Sequence, residues 1–198
     1  LFYNNLTVTK YKKYITYSIL ILCLFTTIKY NKRFNIERKF HELNNTTISN
    51  SVDAKEIHKN FEGLRWISPY FDNPIEEVDL IKSFLFILRK DENNKMVMSQ
   101  YNFYSSLLNQ KLYSPSRTYD SISYPRKNSK YFEAYQNYLI NMVKKNNIKK
   151  IYIFEPFSNY NVNERIFNYI PENCFKKIRP NNHFLILETK GCGELKWK

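Results

Sequence analysis

One long apolar run opens the chain, and short apolar blocks alternating with amphipathic stretches follow it. From Tyr14 to Ile28, fifteen consecutive residues carry no charge. Thr16, Ser18, Thr26 and Thr27 fall on no common face of a helix drawn through them, whereas a core helix of a globular protein normally keeps a polar stripe. Extended to Tyr11–Tyr30, with Lys12, Lys13 and Lys29 reaching toward headgroups, the run spans about 30 Å, the thickness of a bilayer's hydrocarbon core. Tyr11, Tyr14, Tyr17 and Tyr30 then sit where an interfacial aromatic belt places them. The pattern predicts a loop over residues 1–13 and a transmembrane helix over 14–30. A buried helix and a signal peptide are the alternatives, and no small-residue cleavage site follows Ile28. The chain begins with Leu1, so it reads as the C-terminal piece of a longer protein.

Residues 31–60 read as a juxtamembrane helix over Asn35–Leu43 and a polar linker, Asn44–Ser51. Beyond it the pattern changes. Phe61–Ser68 predicts a strand, closed by Pro69. Asp72-Asn73-Pro74 predicts a helix start, because proline suits the first helical position and Glu76, Glu77 and Asp79 complement the positive helix N-terminus. Val78, Ile81, Leu85 and Leu88 carry that helix to Arg89 at helical spacing. Lys95–Ser99 and Lys150–Phe154 are short apolar strands, and Tyr101–Leu108 is a short helix. Ser114–Ser129 is a long polar loop, and Lys130–Asn147 an amphipathic helix. A small helix over Asn163–Ile170 precedes two closing strands over 174–178 and 183–189. Strands alternating with helices of this length argue for an α/β fold. The expected architecture is one N-terminal transmembrane helix followed by a small three-layer α/β domain over 61–198 with a mostly parallel sheet.

Charge changes this picture little. The net charge of +13 invites a polyanion partner. The excess divides almost evenly, +6 over residues 1–60 and +7 over 61–198, and forms no stripe. That spread argues against nucleic acid. Only three glycines occur, Gly63, Gly191 and Gly193, so neither a phosphate-binding loop nor a dinucleotide fingerprint can be written. His41, His58 and His183 stand at no metal-ligand spacing, and no nucleophile motif appears, so no cofactor, metal or catalytic residue is assigned.

In parallel α/β sheets ligands bind beyond the C-terminal ends of strands. Three such ends are readable: Ser68-Pro69-Tyr70, Ser99-Gln100-Tyr101 and Glu155-Pro156. Ser99, Gln100, Tyr101, Arg117, Tyr119, Asp120 and Tyr124 are the ligand-binding candidates. Arg117 suits an anion, the tyrosines suit stacking, and Gln100 and Asp120 suit hydroxyls, a set fitting a sugar or a phosphate. The plainer reading, that such residues end strands and cap helices, stands beside it. Cys174 and Cys192 bracket the closing strands and form a disulfide candidate, with two free thiols as the alternative.

With Tyr14–Ile28, "GLRWISPYFDNP", "MVMSQYNF" and "YSPSRTYD" in view, the chain resembles the C-terminal part of polytopic bacterial membrane proteins of the glycosyltransferase C superfamily, such as protein mannosyltransferases and aminoarabinose transferases. The resemblance implies a last transmembrane helix in the bacterial inner membrane, carrying a periplasmic accessory domain that positions an acceptor or covers the site. It implies membrane lipid, a polyprenyl-phosphate-linked sugar and a glycan or lipid acceptor as the parent protein's partners. The superfamily's catalytic carboxylate lies far upstream, so no catalytic residue carries over. A membrane-tethered binding module without enzymatic activity is the alternative.

Overall fold

The computed structural model describes residues 9–37, 48–119, 124–156 and 161–190. The chain divides into two compact units, Leu1–Thr46 and Thr47–Lys198.

In the first unit, helix α1 runs over Thr9–Asn31 and passes into a π-helical stretch, Lys32–Glu37. The threonine hydroxyls bond back to carbonyls one turn earlier: Thr16 to Lys12 at 2.9 Å, Thr26 to Leu22 at 2.7 Å and Thr27 to Cys23 at 2.8 Å. The transmembrane reading of residues 14–30 is overturned here. No described helix is both long and apolar enough to cross a membrane. The physical reason is the shortness of the apolar run: fifteen residues make about 22 Å of helix against about 30 Å of hydrocarbon. The turns that would complete the span hold Lys10, Lys12, Lys13, Lys29 and Asn31. The inner-membrane placement with a periplasmic domain, which the resemblance implies through that span, falls with it.

The second unit is built on a four-stranded mixed sheet. Its strands are β3 (Lys95–Ser99), β4 (Lys150–Phe154), β5 (Phe175–Asn181) and β6 (Phe184–Thr189), in the order β3-β4-β6-β5. A separate two-stranded ribbon pairs β1 (Val52–Asp53) antiparallel with β2 (Arg65–Trp66). Only β3 and β4 are parallel, in register Ser99↔Phe154, with helix α4 (Phe132–Lys145) between them in the chain. β6 lies antiparallel between β4 and β5. The expected mostly parallel sheet is therefore corrected. The cause is the turn Asn182-His183, where the Asn181 side chain accepts from the amides of His183 and Phe184, both at 2.9 Å. A two-residue turn can only join antiparallel strands.

Strand alternation sends side chains to two faces. Met96, Met98, Ile151, Ile153, Leu185 and Leu187 pack with Leu139, Ile140 and Val143 of α4. Val97, Tyr152, Phe154, Phe184 and Ile186 face helices α2 (Pro74–Lys90) and α3 (Tyr104–Leu108). Phe84 centres that second face, its ring centroid 5.1–5.2 Å from those of Tyr104, Phe154 and Phe184.

α2 starts where its sequence signals place it. The Asn73 side chain accepts from the Ile75 amide at 3.1 Å, and Pro74 takes the first turn. Its far end is closed by Lys95 of β3, a buried lysine whose Nζ donates to Leu88 O at 2.8 Å, Gln110 Oε1 at 3.1 Å and Asp91 O. Leu88 O also accepts the Asp91 amide at the helix cap, at 3.3 Å, and a cation suits the negative end of the helix dipole. The strand expected over Phe61–Ser68 shrinks to Arg65–Trp66. Lys59–Phe61 is a 3₁₀ turn capped by the His58 ring, and Gly63 turns the chain at φ +85°.

Candidate functional site

The C-terminal end of β3 is shaped by one serine. Ser99 Oγ accepts from the Tyr101 amide at 3.2 Å, which breaks the strand and swings Tyr101 toward α2. There the Tyr101 hydroxyl donates to Glu77 Oε1, and the Trp66 indole donates to Glu77 Oε2 at 2.9 Å. Glu77 is 1% exposed with both carboxylate oxygens engaged, so it ties the β1–β2 ribbon to the sheet edge. Burial, and then the Glu77 charge, hold the Tyr101 phenol well above its ordinary pKa.

After β3 the chain forms α3 and returns beside its own strand. The Val97 amide donates to Tyr113 O at 2.7 Å, and the Tyr113 amide donates to Lys95 O at 3.2 Å. The same segment ends with the Tyr119 amide bonded to Ser99 O at 3.0 Å. Between strand, helix and returning segment lies a cavity of about 110 Å³. Its lining is Val97, Ser99, Tyr101, Asn102, Tyr104, Ser105, Leu112 and Ser114. Tyr104 is 2% exposed, and its hydroxyl has no hydrogen-bond partner. Burial raises its pKa well above the ordinary value; nearby Ser99 opposes that but stands outside hydrogen-bonding geometry.

The end of β4 supplies a second unpaired group. Glu155 follows the strand's last residue, its amide bonded to His183 O at 3.1 Å. His183 Nδ1 lies 3.3 Å from Glu155 O. The carboxyl is 3% exposed, and neither of its oxygens has a partner. Burial pushes its pKa up to about 8, against the opposing charge of Arg165. Glu155 is therefore mostly a neutral acid at pH 7. Tyr119, buried nearby, is itself held well above its ordinary pKa by burial and then by Glu155.

The candidates read from the sequence part company here. Ser99 and Tyr101 line the cavity. Gln100 lies outside its lining and accepts from the Tyr70 hydroxyl at 3.3 Å. Arg117 is exposed and does not line it. Tyr119 and Tyr124 belong to the α4 side, their rings 4.9 Å apart, with Tyr124 also 5.3 Å from Tyr135. Asp120 and Cys192 lie outside the described residues. Cys174 is disulfide-bonded and Cys23 is a free, exposed thiol. Among the described residues no group of three or more His, Cys, Asp or Glu could hold a metal ion. Tyr104, Asn102, Ser105, Ser114 and the Glu155 carboxyl are the groups that sequence reasoning leaves unassigned. For Glu155 a signal existed, a carboxylate directly after a wholly apolar strand and before proline.

No family model, no curated protein and no solved structure matches this chain. The resemblance to glycosyltransferase C membrane proteins depends on a closing membrane span, which no described helix provides. Nothing found supports a glycosyltransferase-like identity.

Proposed function

We propose that residues 47–198 form a small-molecule binding module whose ligand docks at the C-terminal edge of the β3–β4 pair. One observation carries this reading. Among the described residues, four buried side-chain polar atoms lack a hydrogen-bond partner, and three of them, Tyr104 Oη and both Glu155 carboxyl oxygens, follow the ends of these two strands. A buried polar group left unpaired costs about 1–3 kcal/mol. Native proteins carry few such groups, and they concentrate where a ligand, ion or water completes them. The crevice beyond the C-terminal ends of parallel strands is also where open α/β sheets take their ligands.

The test is a panel of neutral hydroxylated and small anionic compounds offered to the full chain, read by amide chemical shifts and by thermal unfolding. A true ligand at ten times its Kd adds about 1.4 kcal/mol. In a domain of this size that raises Tm by about 3–6 °C. The expected result is a saturable shift of amides at Ser99, Asn102 or Glu155 together with such a rise. A panel that moves none of these amides overturns the reading.

A further inference from the structure

We infer that the cavity beside Ser99 is a subsite for a neutral polyol of three or four carbons. The inference rests on the ligand-binding reading above and gives it a chemical class. It follows from counting the protons and lone pairs that the lining has left to offer.

Three lining hydroxyls have already spent their proton. Ser105 Oγ donates to Gln110 O at 2.9 Å, Ser114 Oγ donates to Ser116 O at 2.6 Å, and Tyr101 donates to Glu77. Each has only lone pairs left to offer. Ser99 is the reverse case, since its oxygen accepts the Tyr101 amide and its own proton remains to give. Tyr104 keeps both a proton and lone pairs, and Asn102 brings an amide that donates and accepts.

That mixture selects among ligand classes. Among the described lining residues an anion meets three oxygens with only lone pairs to offer and no Lys or Arg to balance them. Among the same residues a cation finds no carboxylate, and Glu77 already has both oxygens bonded. A hydroxyl both donates and accepts, so a run of hydroxyls can satisfy the donor and acceptor sides together. Val97 and Leu112 give the carbon skeleton an apolar wall. The volume of about 110 Å³ is the share of roughly four waters, which suits glycerol or erythritol. Asn102, Ser105 and Ser114 are exposed, so the cavity opens to solvent on that side.

The experiment titrates the full chain with glycerol, 1-propanol and inorganic phosphate, following the amides of Ser99, Asn102 and Ser105. Site-resolved shifts are needed because polyols also stabilise proteins by exclusion from the surface. Glycerol is expected to give saturable shifts at these three amides, and propanol and phosphate none. Tyr104→Phe should weaken glycerol about tenfold, the worth of one hydrogen bond, without lowering Tm. Glu133→Gln, at an exposed position in the first turn of α4, should leave the glycerol affinity unchanged. Equal glycerol binding by Tyr104→Phe overturns the inference. So does a fall in its Tm, which would mean the hydroxyl is already bonded in the free protein. Absence of saturable glycerol shifts overturns it as well, leaving water as the occupant. If phosphate shifts Ser99 or Glu155 where glycerol fails, the polyol class falls while the binding-module reading survives; if nothing binds, both fall.

Discussion

Glu155 is a residue whose chemistry departs from its type in the physiological pH range. Its carboxyl is buried at the end of β4, unpartnered, with a pKa of about 8 in place of 4.5. The native state therefore keeps a proton that the unfolded chain releases above pH 4.5. Where the unfolded state binds fewer protons, stability falls as pH rises. The loss from this group runs from pH 4.5 to about 8 and stops above that. Its steepest slope is about 1.4 kcal/mol per pH unit. Glu155→Gln replaces the neutral acid with a neutral amide of similar shape and removes the titration. Its advantage in urea midpoint over the wild type should widen steadily between pH 5 and pH 8 and then level off. Parallel midpoint curves for the two proteins would mean the carboxyl is ionised and paired in solution.

At the scale of elements, local chemistry was readable wherever it was sufficient by itself. α2 shows this best. Asn73, Pro74 and Glu76 mark its start in the sequence, and the Asn73 side chain does cap the Ile75 amide. Asn73→Ala should cost about 1 kcal/mol, seen as a lower urea midpoint with an unchanged m-value; no loss would mean water replaces the cap freely. Other elements were set by partners that the local pattern does not display. Phe61–Ser68 has strand-like composition, yet a His58 cap and a left-handed Gly63 leave it two paired residues. The closing strands were legible as strands, but not the insertion of β6 between β4 and β5, which depends on register. The cavity divides the same way. Ser99 and Tyr101 could be named because they end a strand. Ser114 could not be joined to them, because it arrives through pairing of Tyr113 with the outer edge of β3, and no apolar periodicity records that contact.

At the scale of the whole molecule, the misleading feature was α1. Its apolar residues stand on all sides, as in a span, and length was the deciding quantity: fifteen uncharged residues fall short of a hydrocarbon core. The two core clusters tell where the folding energy of the second unit resides. Every buried residue in them lies between Ile57 and Leu187, and the partly buried side chains packed against them begin at Val52. Every described residue of these clusters belongs to the second unit, Thr47–Lys198. Burial of apolar surface is the dominant favourable term in folding, so a unit that encloses its own clusters carries its own stability. A chain starting at Thr47 has about 150 residues, enough to bury a core alone. It should unfold in one cooperative transition within about 2 °C of the transition of the second unit in the full chain, a difference of roughly 0.5–1 kcal/mol. Calorimetry of both proteins checks this, with glycerol titrations on each in parallel. A broad, non-cooperative transition in the shortened chain would show that Leu1–Thr46 completes the fold. A sharp transition with glycerol binding lost would place part of the binding surface in that first unit.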